Sequence, residues 1–587
     1  MNRRIGKTDL IFYDIIITGL VFLAILGCLL HWTPYRLEFK EQMSIFLLGA
    51  DRINWYLSNP AVAASIAGDW LTQFYINGKL GALLSVLLLG AVWMGLLRFL
   101  KLSENGVRTN LLVLTVPILL EAGFLTNINY PVSATVGHVM SVWMACGLVR
   151  LKDSRLKELV YMLAVPAVFV IAGFHALTFA LMLGMASRRK LNLWGGLIAG
   201  IILMMVCGKY YNLTPVQTLM WPFSKGYMDP SRIWIIAQPL FILSVLVLSV
   251  LIGRIKHAGW MIGLYTGFMA ISLGVFNSSV KSELENVVKI GTLAYHNQWK
   301  DVARQAQQDL RTQYAGFYWN VCNAREGRLA ENLLKGQWAS SQDVLFLSTG
   351  SEDPYFSMIY FTDALLEMGD VSQATDCALL AQTVMPGHYS TRMLRRLAEI
   401  AVVTADYDVA RKYLDILMRT RNHRQWAQDL MECIETGNIP EQYLKWRSRT
   451  VPNDRFFAQG DIRSSLAIIA QECPYNRVAI DYLLCANLLD KKINTFVSLY
   501  DKYYLNALDR IVTVPDLYQE ALLVNVNSRE SLWETVDKYH ISQNVVDKFL
   551  NQLEARSESN DPHVLTGDAR GTYWHYIMAV RFNNNQE

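Results

Sequence analysis

Three ionisable residues stand inside long apolar runs of this chain: Glu121, His138 and His175. Burying such a group in hydrocarbon costs several kcal/mol unless it is paired, so each is a candidate for binding a substrate, proton or ion. The alternative is a structural Glu–His contact between packed helices. A second group of reactive types lies between the first two apolar runs, where residues 33–79 carry Arg36, Glu41, Asp51, Arg52 and Asp69 among aromatic and apolar neighbours. Carboxylates there can take a proton or orient a hydroxyl, and guanidinium groups can hold an anion. The plainer reading of each is an interfacial charge that anchors a surface helix.

The elements that must position these residues are membrane helices. An uncleaved first span covers Ile11 to Trp32, preceded by Arg3, Arg4 and Lys7 and followed by no small-residue cleavage site. Further spans are predicted near Leu80–Leu97, Asn110–Leu125, Pro131–Val149, Leu193–Lys209 and Ile233–Gly253. The last run, Ala258 to Val280, carries no charge. Between Leu159 and Ser187, Pro166 and Gly173-Phe174-His175 interrupt the apolar stretch, so two short helices meeting at Gly-Phe-His are expected to form a hairpin. Residues 33–79 are too apolar to be free in water and are expected to lie along the membrane surface as short helices.

Charge orients this half. Residues 1–280 hold 22 Lys/Arg against 11 Asp/Glu, whereas residues 281–587 hold 32 against 39. With a cytoplasmic N-terminus and the hairpin, 15 of the 22 basic residues fall at inner ends and 7 in outer segments. The positive-inside rule then gives about nine membrane segments, with the C-terminal domain outside, in a bacterium the periplasm.

From Lys281 onward no apolar run of spanning length recurs, and the chain reads as an all-α soluble domain. Four turns share one form: His296-Asn297-Gln298-Trp299, Glu326-Gly327-Arg328-Leu329, Met368-Gly369-Asp370-Val371 and Thr404-Ala405-Asp406-Tyr407. Their spacings of 30, 42 and 36 residues scatter around the tetratricopeptide period, which predicts a tetratricopeptide-like α-solenoid over 281–587. The helices are expected to continue through Asn476–Leu488, Lys492–Tyr503 and Pro515–Val526, with a helix start at Pro474. The fold class is therefore all-α, a polytopic helical membrane domain followed by a helical array.

This half contains no P-loop, G-x-S-x-G, H-E-x-x-H or G-x-G-x-x-G, and no C-x-x-C links any of the eight cysteines. No cofactor is signalled; a divalent metal is compatible with the sequence without being marked by a motif. His423 and Trp426, in RNHRQWAQ, read as turn and packing residues. The acidic balance of 281–587 argues against nucleic acid as a partner.

The whole chain resembles a family of polytopic membrane proteins of Bacteroidota that carry a tetratricopeptide-like tail. The resemblance rests on Glu41-Gln42…Phe46, on Gly68-Asp69-Trp70-Leu71-Thr72-Gln73-Phe74-Tyr75, and on Ala405–Leu414 followed by Arg424-Gln425-Trp426-Ala427. It implies no particular activity. More distantly, the first half resembles the GT-C superfamily of integral membrane glycosyltransferases. Those enzymes place an essential acidic residue just after the first span, take sugars from polyprenyl-phosphate donors, and often append a periplasmic domain. Glu41 best matches that acid and Asp51 comes second, while the usual paired-acid motif is missing because Gln42 follows Glu41.

That resemblance implies Glu41 or Asp51 as the carboxylate that deprotonates or orients an acceptor hydroxyl. Arg36, Arg52 or Lys225 would face the leaving lipid phosphate, and Asp69, Glu121, His138 and His175 would line the substrate site. Its partners would be membrane lipid and a polyprenyl-phosphate sugar. The rival reading is a non-enzymatic envelope scaffold in which the helical array presents a surface to protein partners. A transporter fits less well, because no internal symmetry is visible and intramembrane charges are few.

Overall fold

The computed structural model describes residues 7–103, 113–151, 155–187, 191–222, 231–252, 263, 266, 267, 270, 274, 276, 282–336, 338, 340–347, 354–385, 389–451, 462–505, 513–526, 528–558 and 571–579. Every regular element among them is helical. Most of the run from Ala258 to Val280 lies outside the described residues, as do Lys225, Arg3, Arg4, Arg108, Lys152, Arg188, Arg189, Lys190, Arg254 and Lys256. The chain divides into two compact units. The first holds residues 1–289 together with the short segments Met385–Thr391 and Arg419–Arg424; the second holds the remainder.

Among the described residues, five helical stretches are long and apolar enough to cross a membrane: Ile15–Trp32, Gly78–Ser103, Val132–Val149, Leu156–Ala186 and Leu193–Tyr210. Two apolar helices are shorter, Thr115–Thr126 and Ala237–Leu251. In chain order the first unit contains α1 (Lys7–Trp32), α2 (Pro34–Gln42), α3 (Ala50–Leu57), α4 (Val62–Thr72), α5 (Gly78–Ser103), α6 (Thr115–Thr126) and α7 (Val132–Val149). It continues with α8 (Arg155–Ala172), α9 (Ala176–Ala186), α10 (Leu191–Tyr210), α11 (Pro215–Met220) and α12 (Ser231–Ile252).

Contacts fix the direction of these helices. Trp143 Nε1 donates to the carbonyl of Ala91 and Cys146 Sγ to that of Gly95, so α5 and α7 run the same way and α6 returns between them. A Cβ on Gly196 would meet Glu158, and one on Gly200 would meet Met162 and Val165, so α8 and α10 are also parallel and α9 returns between them. The reversal occurs at Gly173, whose φ of +77° favours glycine and where a Cβ would stand 2.8 Å from the carbonyl of Trp221. A 3-10 turn, Gly173–His175, then feeds α9 and places His175 at the tip of the hairpin.

Residues 33–79 form α2, α3, α4 and a 3-10 turn at Gln73–Ile76, and Asn77 Oδ1 caps the start of α5 by accepting from the amides of Lys79 and Leu80. The sequence places their charges at the membrane surface. In the structure Arg36, Lys40, Glu41 and Arg52 are each at most 7% exposed. The reason is local. The chain following α6 presents main-chain carbonyls that long basic side chains can satisfy: Lys40 Nζ donates to Asn127 O at 2.7 Å and also to Tyr130 O, and Arg36 reaches Thr126 O.

The second unit is built of helices joined by one recurring turn. Asn297, Gly327, Gly369 and Ala405, the second residues of the four turns singled out in the sequence, all have positive φ, between 58° and 87°. At three of them the next amide donates back to the carbonyl five residues earlier: Gln298 to Leu293, Arg328 to Asn323, and Asp370 to Leu365. This left-handed cap satisfies the last free carbonyls of one helix and aims the chain into the next. A further turn of the same kind sits at Lys491 (φ 56°), where Lys492 donates to Asn487, and its left-handed residue is not the Asn, Gly or Ala of the other four. The helix expected to start at Pro474 starts at Arg477, capped by the side chain of Asn476.

Candidate functional site

Glu121, His138 and His175 come together. They reach the same place from α6, α7 and the tip of the α8–α9 hairpin, and all three are fully buried. His138 Nδ1 lies 3.2 Å from Glu121 Oε2. The rings of His138 and His175 stack with centroids 4.2 Å apart and planes within 5°. Stacking this close needs α7 and α8 in near contact, and Gly137 permits it: a Cβ there would lie 2.3 Å from the carbonyl oxygen of Ala172.

Around them stand groups that the sequence does not single out. Tyr130 and Thr135 donate to Glu121 Oε1 at 2.7 and 2.6 Å, and Gln238 of α12 donates to Oε2. Thr178 Oγ1 is 3.1 Å from His175 Nδ1. Nε2 of both histidines is buried and has no hydrogen-bond partner. One candidate ligand atom from each of Glu121, His138 and His175 lies within 4.8 Å of the other two. Tyr130 ties this cluster to α2, because its carbonyl accepts from Lys40 while its hydroxyl bonds Glu121. Burial and the nearby Arg36 push the Lys40 ammonium down to about 7.

The remaining predicted residues form separate pairs. Arg36 meets Glu285 at 3.3 Å, and burial raises the Glu285 carboxyl to about 7. Arg52 meets Asp69 at 3.2 Å and lies over the ring of Trp55, while Tyr56 donates to Asp69 at 2.7 Å. Burial raises the Asp69 carboxyl, an effect that Arg52 and Tyr56 oppose. Asp51 is exposed. Glu41 Oε1 accepts from Asn422 at 3.0 Å and lies 3.2 Å from His423 Nε2, and Asn422 also donates to the carbonyl of Gln73. Thr391 bonds the Glu41 carbonyl. Glu41, Gln73, Thr391 and Asn422 border a cavity of about 10 Å³, room for about one water. His423, read from sequence as a turn residue, is thus a partner of Glu41 from 382 positions away.

Apolar helices of spanning length around a buried carboxylate–imidazole cluster define a multi-pass helical membrane protein with an ionisable centre in its membrane unit. The chain belongs to the family described as Family of unknown function (DUF6057), which it matches over residues 10–579. No curated protein and no solved structure matches it.

Proposed function

We propose that this protein is an enzyme of the cell envelope, a GT-C-like glycosyltransferase that takes a sugar from a polyprenyl-phosphate carrier at the outer face of a bacterial inner membrane. The observation that carries this reading is the Glu121–His138–His175 cluster, bonded through Tyr130 to the helix that holds Lys40 and Arg36. Ionisable groups among apolar helices are costly, and a passive anchor has no use for them. A carboxylate and two imidazoles can orient and deprotonate an acceptor hydroxyl, and the cations of α2 suit a departing lipid phosphate. In this reading the working centre moves from Glu41 to Glu121 and its two histidines.

The test is turnover. Purified protein given polyprenyl-phosphate-linked sugars should release polyprenyl phosphate, and His138→Gln should slow that release by ~10²-fold or more. Folded protein that turns over none of a broad panel of such donors would sink the enzyme reading. One observation favours the scaffold instead: Glu41, the acid that the GT-C resemblance makes essential, is bonded to Asn422 and His423 beside a cavity with room for about one water. On that reading the second unit, a tetratricopeptide-like array, binds envelope proteins.

In this reading the C-terminal half lies in the periplasm. The basic bias of 15 inner against 7 outer residues supports this. So do Ser390, Thr391 and Asn422, which bond to Gln42, Glu41 and Gln73 within the first unit and so share a side with residues 33–79. A phosphatase fused after Val280 should be active and a cytoplasmic reporter at that point silent; the opposite pattern inverts the topology.

A further inference from the structure

We propose that Glu121, His138 and His175 bind one divalent transition-metal ion, zinc by the chemistry of the donors. The proposal rests on the reading of this cluster as the working centre, and it goes beyond that reading by naming what the centre holds.

Four observations support it. The first is convergence: ligand atoms from three separate elements lie within 4.8 Å of one another. Ligands each ~2.0–2.2 Å from a tetrahedral ion stand about 3.4 Å apart. Glu121 Oε2 and His138 Nδ1 already stand 3.2 Å apart, close to that spacing.

The second is the buried Nε2 of His175, which has no hydrogen-bond partner. Buried polar atoms are nearly always satisfied, so an unpartnered imidazole nitrogen beside the Glu121–His138 pair calls for a missing partner. A plain Glu–His pair accounts for His138 alone. It gives no reason for a second imidazole stacked on the first at 4.2 Å with its own Nε2 unsatisfied.

The third is the outer support. Residues that hold a metal are usually fixed by a further hydrogen bond on their other polar atom. Thr178 supplies that bond to His175 Nδ1, while Tyr130 and Thr135 supply it to Glu121 Oε1.

The fourth is charge. Among the described residues no lysine or arginine forms an ion pair with Glu121; its other partners are the neutral side chains of Tyr130, Thr135 and Gln238. A divalent cation answers the buried carboxylate directly. Two imidazoles and one carboxylate suit zinc and its neighbours, whereas magnesium and calcium prefer all-oxygen sites. Three protein ligands leave a fourth position for a water or an acceptor hydroxyl, the arrangement of a reactive rather than a closed site.

Elemental analysis of the full chain tests this, using protein purified in detergent through a tag without histidine and then loaded with zinc and desalted. Wild type should retain about one zinc per chain, as should His31→Gln, whereas His175→Gln and Glu121→Gln should retain at most about a tenth of that. Cobalt(II) in place of zinc reads the site in wild type alone, so the result does not hang on the variants folding; a four-coordinate site should give visible d–d absorption that zinc displaces. Wild type that holds no zinc and gives no such band overturns the proposal, as does full retention by folded His175→Gln and Glu121→Gln. The outcomes separate from those of the transfer assay: bound zinc without turnover of any sugar donor removes the glycosyltransferase reading and keeps the metal site. Turnover by protein that holds no metal does the reverse.

Discussion

Replacing Asp363 by alanine is expected to destabilise the second unit strongly. Asp363 lies at the centre of a buried network: its Oδ2 accepts from Tyr318 and Arg392, each at 2.9 Å, and its Oδ1 from Arg396 at 2.8 Å. The Asp363, Arg392 and Arg396 side chains are at most 2% exposed. Arg396 also pairs with Glu399, and Arg392 lies 5.2 Å from the centre of the Tyr295 ring. Removing the shared carboxylate takes an anion from two buried guanidinium groups, of which Arg396 keeps its pair with Glu399. Breaking a buried ion pair on one side typically costs roughly 3–5 kcal/mol. That is a large share of the ~5–15 kcal/mol that holds a domain together. The thermal midpoint should fall on the order of 10 °C. Asp363→Asn, which keeps the acceptor for Tyr318 and loses the charge, should fall in between. Circular dichroism of the full chain in detergent gives the measurement, and an Asp363→Ala midpoint equal to wild type would show that the network does not hold this unit.

Nothing in the local sequence marks Asp363 as a hub, and that contrast runs through the molecule. The four turns were legible because a left-handed residue closing a helix selects for Asn, Gly or a small residue, a constraint carried by one position. The further turn, at Lys491, adopts the same backbone with a residue that gives no such signal. The apolar runs were legible for the same reason, since hydrocarbon acts on each residue separately. What joins distant positions was not. Glu285 pairs with Arg36 and accepts from the amide of Tyr35, 250 positions away in the chain, and Glu41 meets His423 at a separation of 382. A free carboxylate at a membrane surface and one capped by an asparagine and a histidine have identical local sequence. Glu121, His138 and His175 were separately visible as charges among apolar residues, while Tyr130 and Gln238, which complete their surroundings, carry ordinary polar side chains.

Gly137→Ala should separate the two helices that bring the histidines together. A methyl carbon at that position would lie 2.3 Å from the Ala172 carbonyl oxygen, far inside van der Waals contact, and the obstacle is backbone that cannot rotate away. The Ala172 carbonyl sits one residue before the left-handed Gly173, so the hairpin tip has little freedom to yield. The helices must part, and with them the stacked rings of His138 and His175. Overpacking of this kind costs roughly 1–3 kcal/mol or more. Gly147 on the same helix supplies the comparison, because a Cβ there meets nothing within 4 Å. Gly147→Ala should be neutral or stabilising by up to about 1 kcal/mol, the intrinsic helix preference of alanine over glycine. Zinc retention should follow the same order, reduced in Gly137→Ala and unchanged in Gly147→Ala. Equal midpoints and equal zinc in the two variants would mean that the close approach at Gly137 does not set the distance between the histidines.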